Sequence, residues 1–151
     1  MTQDNKRLSF CIPTYNRIDY FKLTIKHLLR ELKGKSIDYE IIISDGGSND
    51  GTLEFINTLE NIIVLEGGLV DGCKIYSELF SQSSGEYILM MTDKILLNID
   101  SILKGCYIFD KDPNFGLMMY KFSMIKEKDP FKISGMIFTR ETTSTQENIQ
   151  I

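Results

Sequence analysis

The sequence predicts an α/β domain on a parallel sheet, and three observations carry that expectation. Short apolar runs alternate with stretches of helical periodicity, in the order strand, helix, strand, helix, strand, helix, strand. That order is the pattern of a parallel sheet with right-handed crossovers. The unusual residues concentrate in the loops after Ile12, Ile43, Leu65 and Met91, where such sheets bind ligands at their strand ends. The length of 151 residues fits one domain of ordinary size.

The elements follow in order. Leu8–Ile12 is a short apolar run ended by Pro13 and reads as a buried strand. Phe21, Ile25, Leu28, Leu29 and Leu32 recur at helical spacing, with Gly34 as the stop. Tyr39–Ile43 is a β-branched strand, and Leu53, Ile56 and Leu59 mark a short helix. Asn61–Leu65 is a third strand, closed by Gly67 and Gly68. Asp71–Ser84 is a helix with Ile75, Tyr76, Leu79 and Phe80 on one face and Gly85 as its cap. Glu86–Met91 is the fourth strand. Asp100 is placed to N-cap a helix carrying Leu103, Cys106 and Phe109. Phe115–Phe122 and Ile133–Thr139 are two further strand-like runs, separated by polar Lys126–Pro130. The expected division is one domain over residues 1–140 and a polar, frayed tail over 141–151.

Composition removes several classes of function. The mix is 42% hydrophobic and 25% charged, which is globular rather than disordered. A net charge of −4 without a long basic run argues against nucleic acid as a partner. The longest apolar stretches, Tyr87–Met91 and Ile95–Leu97, fall far short of the roughly 20 residues that cross a bilayer. Met1–Asn5 is polar and lacks an apolar signal core, so a cytoplasmic protein is expected. Cys11, Cys73 and Cys106 form no C-x-x-C pair and read as reduced, mostly buried thiols. The single histidine, His27, lies inside a helical pattern and reads as a surface or boundary residue, not a zinc ligand or triad base.

Two loops stand out. Pro13-Thr14-Tyr15-Asn16-Arg17 leaves the first strand with a stiff exit, an aromatic face and a fixed positive charge. Its structural alternative is a strand-to-helix turn capped by Thr14 or Asn16. Ser44-Asp45-Gly46-Gly47-Ser48-Asn49-Asp50-Gly51-Thr52 leaves the second strand. Paired glycines let backbone approach a ligand closely, and Asp45 can accept hydrogen bonds from a base or ribose. Ser48 or Asp50 can cap the helix beginning near Thr52. The loop lacks the Gly-Lys-Ser/Thr ending of a phosphate loop and the G-x-G-x-x-G dinucleotide pattern. A carboxylate at a strand end suits a nucleoside better than a phosphate.

Leu8–Arg17 followed by Ile41–Thr52 resembles the opening of a family-2 nucleotide-sugar glycosyltransferase, including the spacing between the two blocks. Gly68-Leu69-Val70-Asp71-Gly72 and Gly85–Met91 resemble that family's next two blocks, so the likeness covers roughly residues 7–98. It implies a three-layer α/β/α, mostly parallel, Rossmann-like A-type glycosyltransferase fold. It also implies a nucleotide-diphospho-sugar donor and a saccharide or lipid-linked acceptor, as in polysaccharide or glycolipid assembly. By position, Pro13, Thr14, Tyr15 and Arg17 border the base and ribose, Asp45 with Gly46 takes the base, and Asp71 and Lys74 lie near the nucleotide or sugar. Lys74 reads equally as a solvated lysine on an amphipathic helix. A lipid-linked acceptor would bring the chain to the inner membrane face, although no basic amphipathic helix marks it.

The chain departs from the family at Met91-Thr92-Asp93-Lys94. The resemblance implies an Asp-x-Asp or Asp-Asp cluster holding Mg²⁺ or Mn²⁺ against the diphosphate. Here Asp93 stands alone between Thr92 and Lys94, a poor divalent site. The expectation is a metal-independent site in which Lys94 meets the diphosphate directly. The family's catalytic base, a carboxylate on the acceptor side, has no matching motif. Glu141 and Asp129 read as surface charges, so the base of an inverting transfer is unassigned.

The alternative class is a non-catalytic, truncated glycosyltransferase-like module. Met118, Met119, Phe122 and Phe131 could then face a second copy or a partner subunit, although ordinary core or sheet positions are the preferred reading for them. A nucleotidyltransferase is disfavoured, because no Gly-rich basic loop follows the first strand.

Overall fold

The computed structural model describes residues 7–66, 72–112, 117–121 and 134–139. The elements are β1 (Leu8–Thr14), α1 (Ile18–Leu32), β2 (Tyr39–Asp45), α2 (Thr52–Ile56), β3 (Ile62–Glu66), α3 (Gly72–Gln82), β4 (Tyr87–Met90), α4 (Ile99–Lys111), β5 (Leu117–Lys121) and β6 (Ser134–Thr139). They form one sheet in the order β3-β2-β1-β4-β6-β5. The strands β3, β2, β1 and β4 are mutually parallel. β6 runs antiparallel to both β4 and β5, which makes the sheet mostly parallel as expected.

Alternation along the strands sorts the core into two layers. Leu8, Phe10 and Ile12 of β1, Ile41 and Ile43 of β2, and Leu89 of β4 face one side. There they pack with Phe21, Ile25 and Leu28 of α1, Ile56 of α2, and Ile102, Cys106 and Phe109 of α4. Cys11, Ile42, Ile88 and Met90 face the other side and pack on Leu79 of α3, with Ile75 and Phe80 partly buried beside it. The result is a three-layer α/β/α arrangement. Cys11 and Cys106 are buried, while the side chain of Cys73 lies outside the description. Among the described residues no helix is long and apolar enough to cross a membrane.

Several local expectations need correction. β1 does not stop at Pro13 but runs on to Thr14. The Cys11 carbonyl accepts the Met91 N–H and that of Thr14 accepts the Gly46 N–H, so by alternation Pro13 faces β4, which has ended at Met90. Its missing N–H therefore breaks no paired rung. The cap of α4 is Asn98, whose Oδ1 accepts the N–H and hydroxyl of Ser101. Asp100 sits in the first turn and pairs instead with Lys35 at 2.6 Å. Gly85 does not cap α3, which ends at Gln82; it lies against Ser9, where a Cβ would come within 2.5 Å of the Ser9 hydroxyl. Leu29 and Tyr76 were expected on buried faces and are exposed. Gly34 does end α1, in the left-handed conformation at φ +77°. His27 is a boundary residue: its Nε2 lies 2.6 Å from the Leu97 carbonyl and its Nδ1 2.8 Å from Arg30 Nη2. A carbonyl only accepts and a guanidinium only donates, so the hydrogen sits on Nε2.

Gly67, Gly68 and the residues from Glu141 onward lie outside the described residues, as do Phe115, Phe122 and Phe131. The side chains of Met118 and Met119 are likewise not described.

Candidate functional site

The strand order reverses between β1 and β4, because β2 and β3 extend to one side of β1 and β6 and β5 lie beyond β4. Loops leaving the two central strands diverge at such a point and open a crevice at their carboxyl ends. A cleft of about 380 Å³ lies there, lined by Pro13, Thr14, Tyr15, Arg17, Gly46, Ile75, Thr92, Asp93 and Lys94.

The β1 and β2 loops are braced into one unit. The Asn16 N–H donates to Ser48 Oγ at 2.9 Å and Asn16 Oδ1 accepts the Asn49 N–H at 2.8 Å. Asn16 itself adopts a left-handed φ of 48°, which asparagine tolerates better than most residues. Asp50 links two helix starts: Oδ2 accepts the Ile18 N–H at 2.9 Å, and Oδ1 accepts the Thr52 N–H and hydroxyl. α1 thus takes its cap from the neighbouring loop, not from Thr14 or Asn16, and Arg17 occupies the N-cap position without a side-chain cap. Burial opposes ionisation of Asp50, but the Thr52 hydroxyl and the Ile18 and Thr52 N–H groups outweigh it and hold the carboxyl below its usual range.

The Tyr15 ring lies over Gly46, where a Cβ would stand 3.2 Å from the ring. A larger residue at Gly46 would push the exposed Tyr15 side chain outward by a few tenths of an ångström. Asp45 is buried beneath, its oxygens accepting the Gly47 and Ser48 N–H groups and the Ser48 hydroxyl. Its carboxylate thus shapes the loop and does not line the cleft.

On the β4 side, Asp93 is buried and its Oδ2 accepts the Thr14 hydroxyl at 3.1 Å. The same oxygen lies 3.6 Å from Arg17 Nε. The Asp93 carbonyl accepts the Thr24 hydroxyl from α1. Burial pushes the Asp93 carboxyl above its ordinary value, against the Arg17 charge, the Thr14 hydroxyl and the Lys94 charge. The Lys94 ammonium stands 5.4 Å from the centre of the Tyr20 ring.

Eight of the residues singled out in the sequence therefore meet in one cleft: Pro13, Thr14, Tyr15, Arg17, Gly46, Thr92, Asp93 and Lys94. Lys74 is exposed on the first turn of α3 and is not among the lining residues. Asp71 lies outside the described residues, as do Asp129 and Glu141. Ile75 was read only as a helix-face residue, and it supplies part of the cleft wall. The bracing by Asn16, Ser48 and Asn49 was not legible, since each reads as an ordinary turn residue.

The described residues do not by themselves make a donor set for Mg²⁺ or Mn²⁺. Among the described residues no three His, Cys, Asp or Glu side chains converge. Asp93 is the only carboxylate among the described lining residues, and a guanidinium and a hydroxyl already share its Oδ2. A hard divalent cation needs several oxygen ligands and would meet two fixed positive charges here.

The chain matches the family model described as glycosyl transferase family 2 over residues 9–150. It is similar to the abequosyltransferase RfbV of Salmonella typhimurium, at 44% identity over 54 residues, 36% of this chain and 16% of that protein. It is also similar to a poly(ribitol-phosphate) beta-glucosyltransferase of Bacillus spizizenii, at 27% identity over 82% of this chain and 22% of that protein. The chain thus spans less than a quarter of the length of these two relatives. Among solved structures, S. aureus TarS 1–349 in complex with UDP-GlcNAc superposes with a TM-score of 0.66 at 19% identity, over 82% of this chain and 36% of that one. The mannosyltransferase PcManGT of Pyrobaculum calidifontis, in complex with GDP-Man and Mn²⁺, gives 0.68 at 16% identity, over 98% and 48%. These two likenesses show a shared A-type glycosyltransferase fold. With the family match running from the first strand almost to the last residue, the chain belongs to glycosyl transferase family 2.

Proposed function

We propose that this chain binds a nucleotide-diphospho-sugar in the cleft between the β1 and β4 strand ends and transfers the sugar to an acceptor hydroxyl. The observation that carries the reading is the cleft itself: an aromatic face at Tyr15, two cations at Arg17 and Lys94 and one buried carboxylate meet at the topological switch point. The base stacks near Tyr15 against the β2 loop that Asp45 shapes. Lys94 meets the diphosphate without a divalent metal, and Lys74, exposed on the first turn of α3 outside the cleft lining, is the cation that the family resemblance brings near the nucleotide or sugar. Transfer is a direct displacement: the acceptor oxygen attacks the anomeric carbon, the bond to the diphosphate oxygen breaks, and the nucleoside diphosphate leaves with the electron pair. The hydroxyl proton passes to a base that no described residue supplies. The acceptor in this reading is a saccharide or a lipid-linked one, the latter drawing a cytoplasmic protein to the inner membrane face.

Calorimetric titration with UDP, GDP, CDP and dTDP, with and without Mn²⁺, tests the reading. Binding of one diphosphate without Mn²⁺ is the expected result, and binding of none removes it. A second reading, a non-catalytic donor-binding module, draws on one observation: the only carboxylate among the described lining residues is committed to Arg17 and Thr14. Release of labelled sugar from the bound donor separates the two, because the module binds without turnover.

A further inference from the structure

We infer that Asp93 is a positioning residue for Arg17 and not a metal ligand: it holds the guanidinium by its Nε edge so that the terminal amino groups, with Lys94, take the donor's diphosphate. The inference rests on the donor-site reading above. It adds a second phosphate-binding cation and a role for the carboxylate that the family resemblance would assign to a metal.

Exposure decides which group an incoming anion meets. The Asp93 side chain is 9% exposed and that of Arg17 is 44% exposed. The carboxylate lies at the floor of the cleft and the cation nearer its mouth. A guanidinium carries five N–H donors in a rigid fork, and Asp93 faces it at Nε, as an ion pair at 3.6 Å. Among the described residues the Arg17 side chain has no other partner, so its terminal amino groups remain for an anion.

Asp93 is itself held firmly. Thr14 Oγ1 donates to its side chain from the end of β1, and Thr24 Oγ1 donates to its carbonyl from α1. Two elements thus hold Asp93, one by its carboxylate and one by its backbone carbonyl, and the carboxylate pairs with the arginine at the N-cap of α1. Lys94 rests against Tyr20 in the first turn of the same helix, so both cations flank one mouth. Among the described lining residues, Arg17 and Lys94 against Asp93 leave one net positive charge, suited to an anion and hostile to a divalent metal.

The test titrates the nucleoside diphosphate that binds the wild-type chain, and its monophosphate, in EDTA and in Mn²⁺. The variants are Arg17→Ala, Asp93→Ala, Asp93→Asn and the double Arg17→Ala/Asp93→Ala. Losing a charge-assisted contact predicts about tenfold weaker diphosphate binding in each alanine single variant, with the monophosphate little affected. The double variant should be no weaker than Arg17→Ala, since Asp93 acts through Arg17. Asp93→Asn, which keeps an oxygen to accept from Thr14 and Arg17, should recover most of the affinity and stays informative if the alanine variant fails to fold. Additive losses overturn the inference while leaving donor binding intact. So does a wild-type requirement for Mn²⁺ with Asp93→Asn as damaging as Asp93→Ala. Absence of any wild-type binding removes the donor reading, and this inference with it.

Discussion

The Asp50 carboxylate accepts the backbone N–H of Ile18 at 2.9 Å, although 32 residues separate them. One side chain thereby satisfies the first turn of α1 and, through its other oxygen, the first turn of α2. Helix N-termini leave their first N–H groups without partners, so losing such a cap is costly. The two loops that frame the cleft are consequently one mechanical unit.

Asp50→Asn tests that unit. The amide keeps one accepting oxygen and replaces the other with a donor, so either Ile18 or Thr52 loses its partner. A stability loss of about 1 kcal/mol is expected, read as a lower urea midpoint. Asp50→Ala should cost more, and equal midpoints for wild type and both variants would show that the loops are held by other contacts.

Glu40 supplies the acid sensitivity of the opposite end of the sheet. Burial would raise its carboxyl, but the Ser9 hydroxyl, the Ser84 N–H and hydroxyl, and the Arg7 charge outweigh burial and hold it below the ordinary 4.5. The folded state therefore binds this proton more weakly than the unfolded chain. Its stabilisation is present above pH 4.5 and is lost as pH falls through the lowered value. Glu40→Gln should cost about 2 kcal/mol at pH 7 and flatten the acid limb of a stability-versus-pH curve.

Asp93 carries the opposite sign. Burial raises its carboxyl above the ordinary 3.8. Its contribution is fully present below pH 3.8 and declines as pH rises through the raised value. At pH 7 the ionised carboxylate costs stability, so Asp93→Asn should melt at or above the wild-type temperature. A clear drop in the melting temperature would contradict this.

Gly85→Ala should be among the most damaging small substitutions in the chain. Its Cβ would meet the Ser9 hydroxyl at 2.5 Å and the Arg7 carbonyl and Ser9 nitrogen at 2.8 Å. A cost of about 3 kcal/mol is expected in chemical denaturation. Ser9→Gly should fail to rescue it, because two of the three contacts are backbone.

Tyr15→Ala separates binding from folding. The ring is 39% exposed and rests on Gly46. Loss of a stacking face should weaken the bound nucleotide about tenfold while moving the melting temperature little. Unchanged affinity would place the base elsewhere in the cleft.

Much of this architecture was legible because it rests on periodicity. Phe21, Ile25, Leu28 and Leu32 mark the buried stripe of α1, and the order of strands and helices carries the parallel sheet. Residues whose roles depend on distant partners were not legible. Gly85 reads as a helix stop until Ser9 is brought against it, and Asp100 reads as a cap until Lys35 claims it. In the cleft, strand-end motifs identified the lining residues, but only the assembled fold shows Arg17 and Asp93 in contact across 76 positions of chain.

Pro13 gives the cleft its permanence. An N–H at that position, facing β4, would reach for the Met91 carbonyl and add a rung to the ladder that the Cys11–Met91 bond now ends. Proline cannot donate that bond, so β1 withholds one rung from the seam between the two central strands on the ligand side. That loss is written into the covalent structure and favours an open crevice before any ligand arrives.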